Sequence, residues 1–254
     1  ERDKIIDMAI LDILAKNNLH IHGESGTGKT ALVISVCSHF PSLSLFMEQG
    51  GHDIGKDDIF GPIHIKKFTD GESYERMIEG FLLKYQIGFL DEFGDIPEKV
   101  QRAFLGVASK KRFFRSGSKE IHWGGRTCFF ASNFVVNNKQ TKAVLDRVLL
   151  KASADYVNDI GKLLTQKKKY DNNGITFTER EIQVFDYIME KIRMNKTHIL
   201  LAKRIFEANN INLQKSTKID SKTNSIFAGL PRMSDRALKE FQEIIIAFAI
   251  LNNL

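Results

Sequence analysis

Apolar residues at Ile5, Ile6, Ala9, Ile10, Ile13 and Leu14 recur at spacings of three and four, and the pattern stops at Asn17 and Asn18. That periodicity predicts an amphipathic helix. The apolar segment Leu19 to His22 then runs directly into GESGTGKT and on into Ala31 to Val36, which predicts strand, glycine-rich loop and helix in immediate succession. Three further short apolar runs, Ser44 to Met47, Ile87 to Leu90 and Thr127 to Ala131, are bounded by Gly, Pro or Asn. Runs of this kind read as strands buried on both faces, so the sheet is expected to be mostly parallel, with helices alternating between strands. One such helix is expected over Pro97 to Ser109, with Pro97 in its first turn and Val100, Phe104, Leu105 and Ala108 on one face.

The pattern changes between Lys162 and Asn173, where QKKKYDNN is basic, polar and without periodicity and reads as a linker. Beyond it, Thr178 and Glu181 form a candidate capping box for a helix carrying Ile182, Phe185, Ile188 and Met189. Another helix is expected over about His198 to Ala208. Ser234 can cap a last one, striped by Leu238, Phe241, Ile245, Phe248 and Leu251. The chain is therefore expected to divide into an α/β part, residues 1–160, and a small all-helical part, residues 161–254.

Composition narrows the class without changing this outline. The 254 residues are 43% hydrophobic and 27% charged, ordinary globular usage that excludes a disordered or fibrous chain. The longest apolar stretch, Ile244 to Leu251, is far short of the ~18 residues a membrane span needs. Cys37 and Cys128 lack metal-ligand or redox spacing and read as small buried hydrophobes, with no disulfide expected. A net charge of +6 allows contact with nucleic acid but does not require it. The chain starts at Glu1 and carries no charged-then-apolar leader, so it is expected to be a piece of a longer cytoplasmic protein.

Chemistry concentrates in the loop Gly23, Glu24, Ser25, Gly26, Thr27, Gly28, Lys29 and Thr30. Anionic phosphates need many converging backbone N–H groups, and glycines let the chain wrap closely enough to supply them. Lys29 is placed to meet the outer phosphates, Thr30 offers a hydroxyl to Mg2+, and the following helix points the positive end of its dipole at the nucleotide. Ile87-Gly-Phe-Leu-Asp-Glu92 ends an apolar strand with two carboxylates, at the sheet edge where open α/β sheets bind ligands. Asp91 suits the metal and Glu92 suits the attacking water. Asn133, following a third strand, is placed to orient the same water. Arg147 and Arg236 could neutralise phosphate charge, but by chemistry alone neither stands out among 37 basic residues.

The order GESGTGKT, DIFGPIHIKKFTDGESYERMIEG, FLDEFGDIP, ASN, LDRVL and MSDRAL resembles the MoxR family of AAA+ ATPases, particularly its RavA type. The resemblance covers most of the chain. It implies a five-stranded parallel sheet with helices on both faces, a helical lid, ATP and Mg2+ as ligands, and a hexameric ring remodelling a client protein, often with a von Willebrand factor A partner. Ile63, Ile65, Asp70, Gly71, Tyr74, Glu75 and Arg76 match the family's insertion in its second helix. By the same correspondence Asn133 is similar to the first sensor, Arg147 to the arginine finger acting on a neighbouring subunit, and Arg236 to the second sensor on the lid. Arg112, Arg115 and Arg126 are rivals for the finger's role. Two features depart from the family: the loop lacks a GPPG opening, and Leu149 to Tyr156 is less apolar than a final core strand. The alternative is a nucleic-acid motor similar to the MCM helicases, suggested by the interleaved basic and aromatic residues Lys110, Lys111, Arg112, Phe113, Phe114 and Arg115. The plainer expectation for that segment is a solvated hairpin.

Overall fold

The computed structural model describes residues 3–64, 76–109, 112–116, 119–133, 139–156, 176–191, 243–247 and 250–251. Helix α1 (Asp3–Ala15) leads into strand β1 (Leu19–His22), the glycine-rich loop and helix α2 (Lys29–Ser38). Strand β2 (Leu45–Gln49) and helix α3 (Lys56–Phe60) follow, then β3 (Ile87–Asp91), α4 (Glu98–Gln101) and α5 (Phe104–Val107). A hairpin of β4 (Phe113–Ser116) and β5 (Lys119–His122) precedes β6 (Thr127–Ser132), α6 (Lys139–Leu145), β7 (Leu150–Ser153) and α7 (Glu179–Lys191).

Five strands pair in parallel in the order β2-β3-β6-β1-β7. Because side chains alternate across a strand, the sheet feeds two separate cores. Leu19, Ile21, Phe89, Phe129 and Ala131 join α1 and α2 on one face. Leu90, Cys128 and Phe130 join α3, α4, α5 and the hairpin on the other. The α/β expectation therefore holds, and so does each apolar run read as a strand. The low apolarity of Leu149 to Tyr156 has a simple cause: β7 is an edge strand, pairing with β1 alone, and only Ala152 of its four residues is buried.

Two local expectations change. Pro97 to Ser109 is not one helix but α4 and α5, divided at Arg102 and Ala103. The backbone stays right-handed there while Ala103 N–H bonds the Val100 carbonyl and Leu105 N–H bonds that of Arg102, a tighter three-residue spacing that breaks the α ladder. The hairpin is packed rather than solvated on its inner side. Phe114 is buried and stacks on Phe60 with ring centroids 4.1 Å apart, and Arg112 lies over the fully buried Trp123 ring.

The capping box forms as expected: Glu181 N–H bonds Thr178 Oγ1 at 3.3 Å while Thr178 N–H bonds Glu181 Oε2 at 2.8 Å. Ile182 and Phe185 of α7, with Ile244 and Ala247, enter the same core as α1. The linker, the boundary near residue 160, the helix about His198 to Ala208 and the lid residues Ser234 and Arg236 lie outside the described residues. So do Ile65, Asp70, Gly71, Tyr74 and Glu75. The base of the insertion is present as an antiparallel bridge between Ile63 and Arg76, whose guanidinium bonds the Gly61 carbonyl, Asp57 and Ser116. No helix among the described residues is long and apolar enough to cross a membrane.

Candidate functional site

Four adjacent strands, β2, β3, β6 and β1, end side by side, because parallel pairing puts all their carboxyl ends on one edge. The register sets His22 against Ser132 and Gln49 against Asp91. Reading across that edge, the chain presents Gln49, then Asp91 and Glu92, then Asn133, then the loop from Gly23.

The loop is built on conformations that side chains disfavour. Gly26 and Gly28 sit at φ +79° and +77°, in the left-handed region. A Cβ on Gly26 would meet nothing within 4 Å, so the loop is open on that side, whereas one on Gly23 would fall 2.2 Å from the Ala154 carbonyl oxygen. Gly28 ends the loop and α2 begins at Lys29 with no side-chain cap, leaving its first N–H groups directed at the loop. Thr27 Oγ1 donates to the Glu24 carbonyl at 2.9 Å, and Tyr156 Oη donates to the Ser25 carbonyl at 2.9 Å. Glu24 and Ser25 are themselves exposed.

Side chains from separate elements converge beside this loop. Lys29 is buried, and its ammonium donates to the Gly23 carbonyl at 2.7 Å, the Glu24 carbonyl at 3.0 Å and Asn133 Oδ1 at 2.9 Å. Asn133 Nδ2 in turn donates to Glu92 Oε1 at 3.3 Å. Thr30 Oγ1 donates to Asp91 Oδ2 at 2.6 Å. Burial lowers the Lys29 pKa from its ordinary value, with the Asp91 and Glu92 charges opposing that shift. The sequence-predicted residues Lys29, Thr30, Asp91, Glu92 and Asn133 are thus brought into one hydrogen-bonded group. Arg147 lies just past α6, with its guanidinium donating to the Ala143 carbonyl one turn back.

Residues that the sequence did not single out support this group. Gln49 Nε2 donates to Glu92 Oε2 at 3.1 Å. Gly50 N–H bonds the Asp91 carbonyl at 2.8 Å, and a Cβ there would lie 2.4 Å from the Glu92 carbonyl oxygen. Glu92 itself is left-handed at φ +46°, a strained conformation for a non-glycine residue, held by the turn that follows. Buried Gln101 donates to the Phe93 and Ile96 carbonyls at 3.1 and 2.7 Å and accepts from Thr141 on α6. A polar residue at or just past the carboxyl end of a strand was the signal available for Gln49, as it is for Asp91 and Asn133.

Two rivals for the finger's role are occupied elsewhere. Arg126 is buried, donating to the Ile13 and Leu14 carbonyls and to both carboxylate oxygens of Asp186 at 2.7 and 2.8 Å. Arg112 bonds the Lys16 carbonyl. The third, exposed Arg115, pairs with Glu120 at 3.5 Å. Burial pushes both thiols, Cys37 and Cys128, up to about 12, and neither is in a disulfide.

The open glycine loop, the ammonium and the Thr30–Asp91 pair fit a triphosphate with its divalent ion. Thr30 and Asp91 supply the oxygen donors that suit an ion such as Mg2+, which completes its shell with phosphate oxygens and water.

Comparison with known proteins agrees with the fold. The family model for the MoxR domain of MoxR-vWA-beta-propeller ternary systems matches residues 1–190. Two uncharacterised proteins of Methanocaldococcus jannaschii are each 26% identical, over 256 and 223 residues, or 99% and 82% of this chain. The chain spans 63% and 58% of their lengths. The crystal structure of a candidate ATPase from Cytophaga hutchinsonii matches with a TM-score of 0.70, covering 99% of this chain and 76% of that one at 17% identity, a likeness of fold.

Proposed function

The chain belongs to the MoxR family of AAA+ ATPases, and we propose that it hydrolyses ATP with Mg2+ at this strand edge to do mechanical work on a client protein. The observation that carries the reading is the Asn133 amide bridging Lys29 and Glu92 beside the Thr30–Asp91 pair. The loop N–H groups and Lys29 would hold the phosphates, and Thr30 and Asp91 the metal, which when bound spreads charge away from the phosphate oxygens. Glu92 aligns the water and takes its proton as the water oxygen attacks the terminal phosphorus and the bond to the leaving diphosphate breaks. Asn133 and Gln49 each hold one oxygen of that carboxylate, fixing its plane.

Glu92→Gln tests this directly. It keeps the shape and one acceptor oxygen, turns the other into an N–H donor, and removes the base, so phosphate release should fall by about a hundredfold or more while nucleotide affinity persists. A wild-type rate would reject the assignment.

Further parts of the proposal rest on the family alone: a hexameric ring with Arg147 completing the neighbour's site, Arg236 sensing nucleotide from the lid, a von Willebrand factor A partner, and a cytoplasmic location. The nucleic-acid alternative gains no support from the hairpin, where Arg112 and Phe114 are buried and Arg115 is paired.

A further inference from the structure

His20 lies on β1, between β6 and β7, with its side chain on the opposite face of the sheet from Leu19 and Ile21. It is 5% exposed. Its Nε2 and the Ser132 Oγ, also buried, are hydrogen-bonded at 2.8 Å. The bond reaches along the sheet, because the residue paired with His20 across the ladder is Phe130, not Ser132. A polar pair in this position adds little net stability, since an apolar pair of similar shape would bury without the desolvation cost. What such a bond supplies is direction.

Ser132 is where direction matters. Its carbonyl accepts from the Gly23 N–H at 3.1 Å, joining the end of β6 to the first residue of the phosphate loop, and the next residue is Asn133. Burial holds the His20 ring neutral, with a pKa lowered to about 3 and the His22 and Lys151 charges acting the same way. A neutral ring keeps one donor and one acceptor nitrogen, so the bond to the hydroxyl persists over the working pH range.

We propose that His20 is a positioning residue for hydrolysis: by holding Ser132 at the end of β6, it sets where the Asn133 amide stands between Lys29 and Glu92. The proposal rests on the reading of Asn133 and Glu92 given above. A histidine that served packing alone would change stability when replaced and leave the catalytic rate intact.

The test combines four single variants, His20→Leu, His20→Gln, Ser132→Ala and Asn133→Ala, with two doubles on the Asn133→Ala background, measuring phosphate release from MgATP, affinity for a fluorescent ADP analogue, and urea unfolding. His20→Leu should lower kcat about tenfold while affinity stays within about twofold. His20→Gln, whose amide reaches about as far as Nε2, should recover most of the rate. Ser132→Ala should repeat the loss from the other side of the bond, and it carries the test if His20→Leu does not fold. Adding His20→Leu or Ser132→Ala to Asn133→Ala should cause no further loss, because all act through one amide. The proposal is overturned if His20→Leu and Ser132→Ala keep wild-type kcat while Asn133→Ala loses it, or if the losses multiply. Wild-type turnover in Asn133→Ala would instead overturn the site reading, and this proposal with it.

Discussion

Lys29 illustrates how a single residue answers to two demands. Its ammonium is buried, which lowers its pKa, and it remains a cation because three oxygens accept from it and two carboxylates stand nearby. The charge would meet phosphates in the ground state as well as in the transition state. Lys29→Ala should therefore weaken ATP binding itself, by about tenfold or more, in a calorimetric titration; unchanged affinity would count against the phosphate-loop reading. His20 makes a different residue-scale prediction. Its folded pKa of about 3 lies below the ordinary value of 6.5, so as pH falls the unfolded chain takes up the proton first. The stability linked to this group is full above about pH 6.5 and drains as pH falls towards about 3, at up to about 1.4 kcal/mol per pH unit. Urea midpoints at pH 7 and pH 5 should converge in His20→Gln relative to the parent. The lysine was legible in the sequence because its loop is contiguous. The histidine was not, since its partner lies 112 residues away.

At the level of elements, the strand ends act as a fitted set. Gly50 shows how tightly: a methyl there would lie 2.4 Å from the Glu92 carbonyl oxygen and 2.9 Å from that of Asp91. Both obstacles are backbone, so β2 or the turn after β3 must shift. Gly50→Ala should reduce kcat by about tenfold, with nucleotide affinity kept because the phosphate loop belongs to another strand; equal kcat in parent and variant would show the joint to be slack. At the opposite end of the sheet, Arg126 precedes β6 and ties α1 to α7 through Asp186, which also meets Lys16 at 2.9 Å. Burial works against the Asp186 charge, yet the bonds from Arg126 and Lys16 prevail and hold its pKa below the usual carboxylate range. Asp186→Ala would leave the buried guanidinium short of its partner and should cost about 2–3 kcal/mol in urea unfolding, a little under the loss from a fully buried pair. A change below about 0.5 kcal/mol would make it an ordinary surface pair. Periodicity located α7 and its cap. It could not show that α7 docks on α1, because an apolar stripe names no partner.

The shared-site proposal belongs to the whole assembly. Arg147→Ala and Glu92→Gln subunits should each be nearly inactive alone, while mixed rings contain interfaces pairing an intact Glu92 with an intact Arg147. Recovered phosphate release on mixing would support a finger acting between subunits; failure to recover, with co-assembly shown by crosslinking, would place Arg147 within its own subunit. The amino-acid sequence by itself determined the strand set, the parallel α/β class, the phosphate loop and the Asp91–Glu92 pair, because each depends on residues adjacent in the chain: short apolar runs, glycines that permit positive φ, polar groups at strand ends. Only the tertiary structure decided the order β2-β3-β6-β1-β7, which makes β7 an edge and sets Gln49, Glu92 and Asn133 beside the loop. It also broke the Pro97–Ser109 segment into two helices and assigned Arg126 and Arg112 to packing. Those outcomes follow from pairings between segments tens of residues apart, where burial and hydrogen bonding are settled by which surfaces meet rather than by the local pattern.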